Sequence, residues 1–142
     1  MEQTTLMNLD LRAPLVYTEI TDTGTDMEAG TEETLLCFSL DPLQSRSIEP
    51  DPELLLGSLV FAGRRTGNLP DPALPAVSLP AGNYLFVQRR GAVMSRREWL
   101  DMAVEQQKDG LWEMFRPESR IFVRFLHEDG QPVTQLFRPL PD

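Results

Sequence analysis

Apolar and polar residues alternate with the period of a β-strand along much of this chain. The pattern predicts strands over residues 14–21, 35–40, 58–63 and 84–89, which are rich in β-branched and aromatic side chains. Residues 54–65 could also be helical, but Gly57 and Gly63 weaken a helix, and Pro52 could begin a short helical turn. The chain up to residue 89 therefore reads mainly as strands.

One segment has helical rather than strand periodicity. Ser95 and Glu98 form a capping box, in which the serine hydroxyl accepts from the third helical N–H and the glutamate reaches back. The predicted helix spans residues 95–108 and ends at Asp109-Gly110. Its apolar face is formed by Leu100, Ala103, Val104 and Leu111, with Trp99 beside them.

The C-terminal region predicts a hairpin. Residues 120–126 and 133–138 alternate as strands around a loop that contains the turn-forming pair Asp129-Gly130. Alternation places Arg120, Phe122 and Arg124 on one face. Together the elements predict an α+β fold, with an antiparallel sheet and one main helix packed on one face. Residues 1–142 fit one domain, with loops over 22–34, 41–52 and 66–75, where glycine, proline and acidic residues collect.

Charge and composition exclude several classes. The net charge is −9, and residues 1–60 hold 12 acidic and 2 basic side chains. Such a chain is not expected to bind nucleic acid directly, because a phosphate backbone requires a basic face. The apolar runs are too short to span a membrane. With Cys37 as the single cysteine, no intrachain disulfide is possible, and we expect a cytoplasmic protein, either a monomer or a homodimer.

Residues able to carry chemistry are few. The single histidine, His127, lies next to the hairpin turn, and no Cys/His group has metal-ligand spacing. Cys37 lies between Leu36 and Phe38, where burial would raise its pKa and leave the thiol unreactive. We therefore expect no enzyme activity, no metal and no cofactor.

Residues 79–91 (LPAGNYLFVQRRG) form a tight turn, a strand and a closing glycine ahead of the helix. This segment resembles the proline-Ala-Gly-x-Tyr strand of the gyrase-inhibitor-like (GyrI-like) family of small-molecule effector-binding domains. The order of helix, Trp112 and the last hairpin, closing in Phe137-Arg138-Pro139-Leu140, extends the resemblance over the C-terminal half. It implies a unit of strand, helix, strand and strand, which the family usually duplicates. The N-terminal half has no matching helix.

The resemblance implies a pocket for a small planar hydrophobic or aromatic molecule. Its expected lining residues are Tyr84, Phe86, Trp99, Trp112, Glu118, Arg120 and Phe122. Where many family members carry a pocket glutamate, this chain has Arg120, with Glu118 two residues earlier. If Arg120 replaces the acid, the ligand is anionic or neutral; if Glu118 serves instead, it is cationic. The alternative function is an acidic modulator that docks a protein partner through the loops at 22–34 and 41–52 and has no ligand pocket.

Overall fold

The computed structural model describes residues 3–20, 33–41, 43–44, 51–65, 75–91, 94–108 and 120–139. Eight strands and two helices follow one another in these ranges. They are β1 (Gln3–Leu11), β2 (Leu15–Glu19), β3 (Glu33–Leu40), α1 (Pro52–Leu55), β4 (Leu56–Arg65), β5 (Ala76–Leu79), β6 (Gly82–Arg90), α2 (Arg96–Lys108), β7 (Arg120–Glu128) and β8 (Gln131–Pro139). The predicted antiparallel sheet with one main helix is confirmed, although the sheet dominates the described residues.

Several predicted boundaries move by a few residues. The loop predicted over 22–34 is wrong at its end, because Glu33 and Thr34 already pair in β3; the rest of that loop lies outside the described residues. The loop predicted over 41–52 ends one residue early, because Pro52 begins α1 as the sequence allowed. Within the loop predicted over 66–75, only Pro75 is described, and it lies outside any strand. The final hairpin closes across Asp129 and Gly130 alone, both with positive φ (52° and 76°), so its strands are longer than expected.

All eight strands belong to one sheet, in the order β1-β6-β8-β7-β3-β4-β2-β5. Every pairing is antiparallel, and only the β3–β4 pairing is irregular, around Phe38. Among the described strands, β1 and β5 occupy the two edges.

Two short links force this sheet to curl. In the strand order β5 and β6 are six positions apart, a span of about 29 Å in a flat sheet at about 4.8 Å per strand. Only residues 80 and 81 connect them, and that connection reaches about 11 Å at most. Residues 12–14 likewise connect β1 to β2 across the same six positions. The edges therefore approach one another at these links, and the sheet becomes a half-barrel.

The two links lie side by side and form a corner. On one side of the corner Leu11 pairs with Gly82, and on the other side Leu15 pairs with Leu79. The link between β1 and β2 therefore has three residues (12–14) where the link between β5 and β6 has two (80 and 81). An extra residue of this kind bends a ribbon sharply, as a β-bulge does. Gly82 has φ +151°, a conformation that residues with a Cβ rarely adopt, and the predicted turn at 80–83 depends on it.

Helix α2 covers the outer face of the curl. Both bonds of the predicted capping box form, Glu98 N–H to Ser95 Oγ at 3.2 Å and Ser95 N–H to Glu98 Oε1 at 3.3 Å. The helix packs Leu100, Ala103, Val104 and Trp99 against β3, β7 and β8, and the Trp99 ring lies 5.6 Å from that of Phe38. Leu111, which was predicted to extend this face, lies outside the described residues. Neither helix in the described ranges is long and apolar enough to cross a membrane.

The tight contact between β4 and β2 gives the first prediction. A Cβ at Gly63 would lie 2.7 Å from Tyr17 Cβ and 2.7 Å from Val77 Cγ2. Gly63→Ala should therefore lower the free energy of unfolding by about 1–3 kcal/mol, the usual cost of overpacking, as measured by urea denaturation. Val60→Ala is the control on the same strand, because Val60 is an exposed side chain. Equal stability of the two variants would contradict this close packing.

Candidate functional site

The inner side of the curl, turned away from α2, forms a second apolar cluster. We call this side the concave face. Its buried members are Tyr17, Leu35, Cys37, Leu79, Tyr84, Phe86, Phe122 and Phe137. The curvature of the sheet itself encloses these side chains.

Strand register places aromatic residues in one line across the concave face. Phe86 pairs with Phe137, Phe137 with Phe122, Phe122 with Cys37, and Cys37 with Phe61. We call these five residues the aromatic row. Neighbouring rings lie 5.1 Å apart for Phe86 and Phe137 and 6.3 Å apart for Phe61 and Phe122. Such tilted pairs are favourable, and four of the five side chains are buried in the concave cluster, with Phe61 partly buried.

Tyr84 closes the corner end of the aromatic row. Its ring meets those of Phe122 and Phe137 edge-on, at 6.1 and 5.8 Å. Its hydroxyl donates to the backbone carbonyl of Pro80 at 2.5 Å, which ties β6 to the corner. Burial, first, and then the neighbouring Cys37 raise the pKa of Tyr84 to about 12. The Tyr84 hydroxyl therefore serves the fold.

On the other side of the aromatic row lies a group of polar side chains, which we call the polar network: Tyr17, Glu33, Gln88, Arg124 and Gln135. Arg124 is its centre. Its Nε donates to the Tyr17 hydroxyl at 2.8 Å, its Nη2 to Glu33 Oε2 at 2.8 Å, and its Nη1 to Gln135 Oε1 at 2.9 Å. Gln135 Nε2 in turn donates to Gln88 Oε1 at 2.7 Å. These bonds fix the guanidinium inside the curl.

The polar network holds its charges in a largely dry setting. The Arg124 and Glu33 side chains are 17% and 21% exposed, and Tyr17 is fully buried. Burial raises the pKa of Tyr17 well above its usual range; Arg124 opposes this, while the hydrogen bond to Glu33 adds to it. For Arg124, burial lowers the pKa, but Tyr17 and Glu33 outweigh burial and raise it. The network is thus a compensated ion pair with a neutral phenol.

Arg120 lies at the corner end of the concave face. It is exposed and pairs with Ser39 in the β3–β7 register, next to the pair of Phe122 and Cys37. Burial raises the pKa of Cys37 to about 11, and Arg120 opposes that rise by its charge and by a hydrogen bond to the thiol. The sequence left the burial of Cys37 open; the structure buries it, and its thiol stays protonated near neutral pH.

The sheet divides the sequence-predicted site residues. Tyr84, Phe86, Arg120 and Phe122 share the concave face. Trp99 belongs to α2 and is buried against the opposite face of the sheet, so the sheet separates it from them. Trp112 and Glu118 lie outside the described residues. Of the two residues that could set the charge of the ligand, only Arg120 is described by the structure.

Sequence reasoning missed the polar network. Glu33 lies in the loop predicted over 22–34, and Tyr17 lies in the strand predicted over 14–21, without a predicted role for either. The available signal was the alternation in β7, which places Arg124 on the same face as Phe122. A charged residue on an apolar strand face calls for a partner from another strand, and the sequence does not show which strand comes near.

The concave face presents aromatic rings together with neutral hydroxyl and thiol groups. Within the described ranges, no three His, Cys, Asp or Glu side chains are grouped as metal ligands would be. Phenols and the thiol are held in their neutral forms. No protein-family model matches the chain, nor does any curated protein or solved structure. The resemblance to the GyrI-like family therefore stays a prediction.

The two tyrosines predict an unusual alkaline titration. The chain has only Tyr17 and Tyr84, and the folded state raises the pKa of both. In the unfolded chain each should ionise near its ordinary value of about 10. Tyrosinate absorbance of the native protein should therefore stay low through about pH 11, whereas in concentrated guanidinium chloride it should rise near pH 10.

The raised pKa values of Tyr17, Tyr84 and Cys37 also predict that the free energy of unfolding falls at alkaline pH. Because folding favours the neutral phenols and the neutral Cys37, their stabilisation is complete below about pH 8 and declines as the unfolded chain begins to ionise. Tyr84→Phe removes one titrating group and should reduce that decline. Native absorbance that follows the denatured curve would contradict the buried hydroxyls.

The polar network predicts that neutralising Glu33 destabilises the protein more than neutralising the exposed Glu128. Glu33→Gln leaves the Arg124 guanidinium largely buried without its counter-charge and should lower the free energy of unfolding by about 2–3 kcal/mol. Glu128→Gln is the matched control, because Glu128 pairs with Arg90 but is 43% exposed. Its cost should stay below about 1 kcal/mol. Chemical denaturation at neutral pH measures both, and equal losses would contradict a distinct role for the network.

Proposed function

We propose that this chain is a non-enzymatic binding domain that takes a small planar hydrophobic molecule against the concave face. The observation that carries the proposal is the incomplete closure of the curl. Among the described strands, β1 and β5 are edges that pair on one side only. These two edges do not pair with each other, and we call the line between them the seam.

Half-buried apolar side chains follow this seam. Leu9 and Leu11 come from β1 and Val77 from β5, and all three pack against the buried concave cluster. A ligand entering here would displace these side chains to reach the aromatic rings, which are buried. Apolar surface next to a few fixed polar groups is the usual composition of a small-molecule site. Aromatic rings in particular favour a planar partner.

The polar network supports the same function. A buried Arg124–Glu33 pair contributes little net stability compared with apolar packing of the same volume. Its presence inside an otherwise aromatic face is therefore better explained by recognition than by stability. A ligand would find its hydrogen-bonding groups already oriented, which reduces the entropic cost of binding.

The sequence resemblance to GyrI-like effector-binding domains agrees with this proposal. We also propose a cytoplasmic location, since the single cysteine is kept as a buried thiol. The alternative is an acidic modulator that docks a protein partner through the loops predicted over 22–34 and 41–52, which lie mostly outside the described residues. The binding test below distinguishes this alternative from the proposed function.

Calorimetric titration with three probes tests the proposal. The probes are 2-naphthoate, 2-naphthamide and 2-naphthylmethylammonium, which share a planar ring system and differ in charge. We expect saturable binding of one probe per chain for at least one of them. Phe122→Leu should weaken that binding about tenfold, because Phe122 lies in the middle of the aromatic row.

Phe125→Leu provides the matched control. Phe125 lies on the same strand and is similarly buried, 6% exposed against 4% for Phe122, but it faces α2. Both variants should lose similar stability, and only Phe122→Leu should lose affinity. No binding of any probe by the folded protein would overturn the binding function and favour the protein-interaction alternative.

A further inference from the structure

Arg120 differs from the other arginines on the concave side in its charge partners. Arg65 and Arg124 lie within 3.9 and 2.8 Å of Glu33, and Arg90 pairs with Glu128. Arg120 forms no ion pair among the residues described, and its contact is with the uncharged Cys37 thiol. Among the described residues, Arg120 is thus a concave-side arginine without a carboxylate partner.

The position of Arg120 suits a ligand that lies along the aromatic row. Arg120 precedes Phe122 by two residues on β7, so both side chains leave the same face of the sheet. Tyr84, which ends the row near Arg120, uses its hydroxyl on Pro80. The exposed guanidinium of Arg120 is therefore the strongest polar donor at the corner end of the row.

From this placement we infer that the ligand is an anion, an aromatic carboxylate in chemical class, with its rings on the aromatic row and its carboxylate on the guanidinium of Arg120. This inference rests on the proposed binding function and deepens it. A guanidinium matches a carboxylate with two parallel N–H···O bonds, a geometry that an amide or an ammonium group does not reproduce. Arg120 would thus determine specificity, while the rings supply most of the buried area.

The same three naphthalene probes test the inference by calorimetry. We expect 2-naphthoate to bind at least about tenfold more tightly than 2-naphthamide, in keeping with a charge-assisted hydrogen bond. Arg120→Gln should remove that preference and leave the affinity for 2-naphthamide within about twofold. Arg120→Glu should reverse the order, so that 2-naphthylmethylammonium binds most tightly.

Arg97→Gln is the control for general charge effects. Arg97 is exposed on α2, on the other side of the sheet, and pairs with Asp101. It should leave all three affinities unchanged. Since Arg120 is exposed, its variants should keep the thermal stability of the parent, and a shared melting temperature verifies this.

Two results would overturn the inference while the binding function stands. In the first, 2-naphthamide or 2-naphthylmethylammonium binds as tightly as 2-naphthoate. In the second, 2-naphthoate binds most tightly but Arg120→Gln leaves its affinity unchanged, so that another residue holds the charge. Failure of all three probes to bind would overturn the binding function itself, and the inference with it.

Discussion

The rest of the structure depends on one constraint: two short links join strands that lie at opposite ends of the sheet order. Residues 12–14 and 80–81 are too short to cross a flat sheet of eight strands. The sheet must curl until those ends meet, and Gly82 and the bond from Tyr84 to Pro80 hold the corner. Without this curvature the apolar residues opposite α2 would face solvent.

Curvature also explains why charged residues can lie inside. Tyr17 of β2 packs closely over Gly63 of β4. Its hydroxyl thereby comes within hydrogen-bonding distance of Glu33 and Arg124. Each of these groups would be costly to bury alone, and together they satisfy one another. The concave face therefore combines an aromatic surface with fixed polar groups, and this combination underlies the proposed binding function.

The two faces of the sheet have separate roles. Trp99 and the apolar face of α2 complete one core, whereas Tyr84, Phe86 and Phe122 belong to the other. Arg120 stands at the exposed end of the second, next to Cys37. Substitutions on opposite faces of the same strand therefore reach different neighbours, as Phe122 and Phe125 on β7 show.

Local patterns in the sequence determined several of the elements, although β1 and β5 were not among the predicted strands. The capping box of α2, the Asp129-Gly130 turn and the alternation of β7 each depend on neighbouring residues, and each formed as predicted. Which strands meet was decided only by the tertiary structure. Tyr17, Glu33 and Arg124 are far apart in the chain, and Trp99 was separated from Tyr84 by a sheet whose order the sequence does not contain. Which distant strands pair depends on the fold of the whole sheet, and the alternation of neighbouring residues does not specify it.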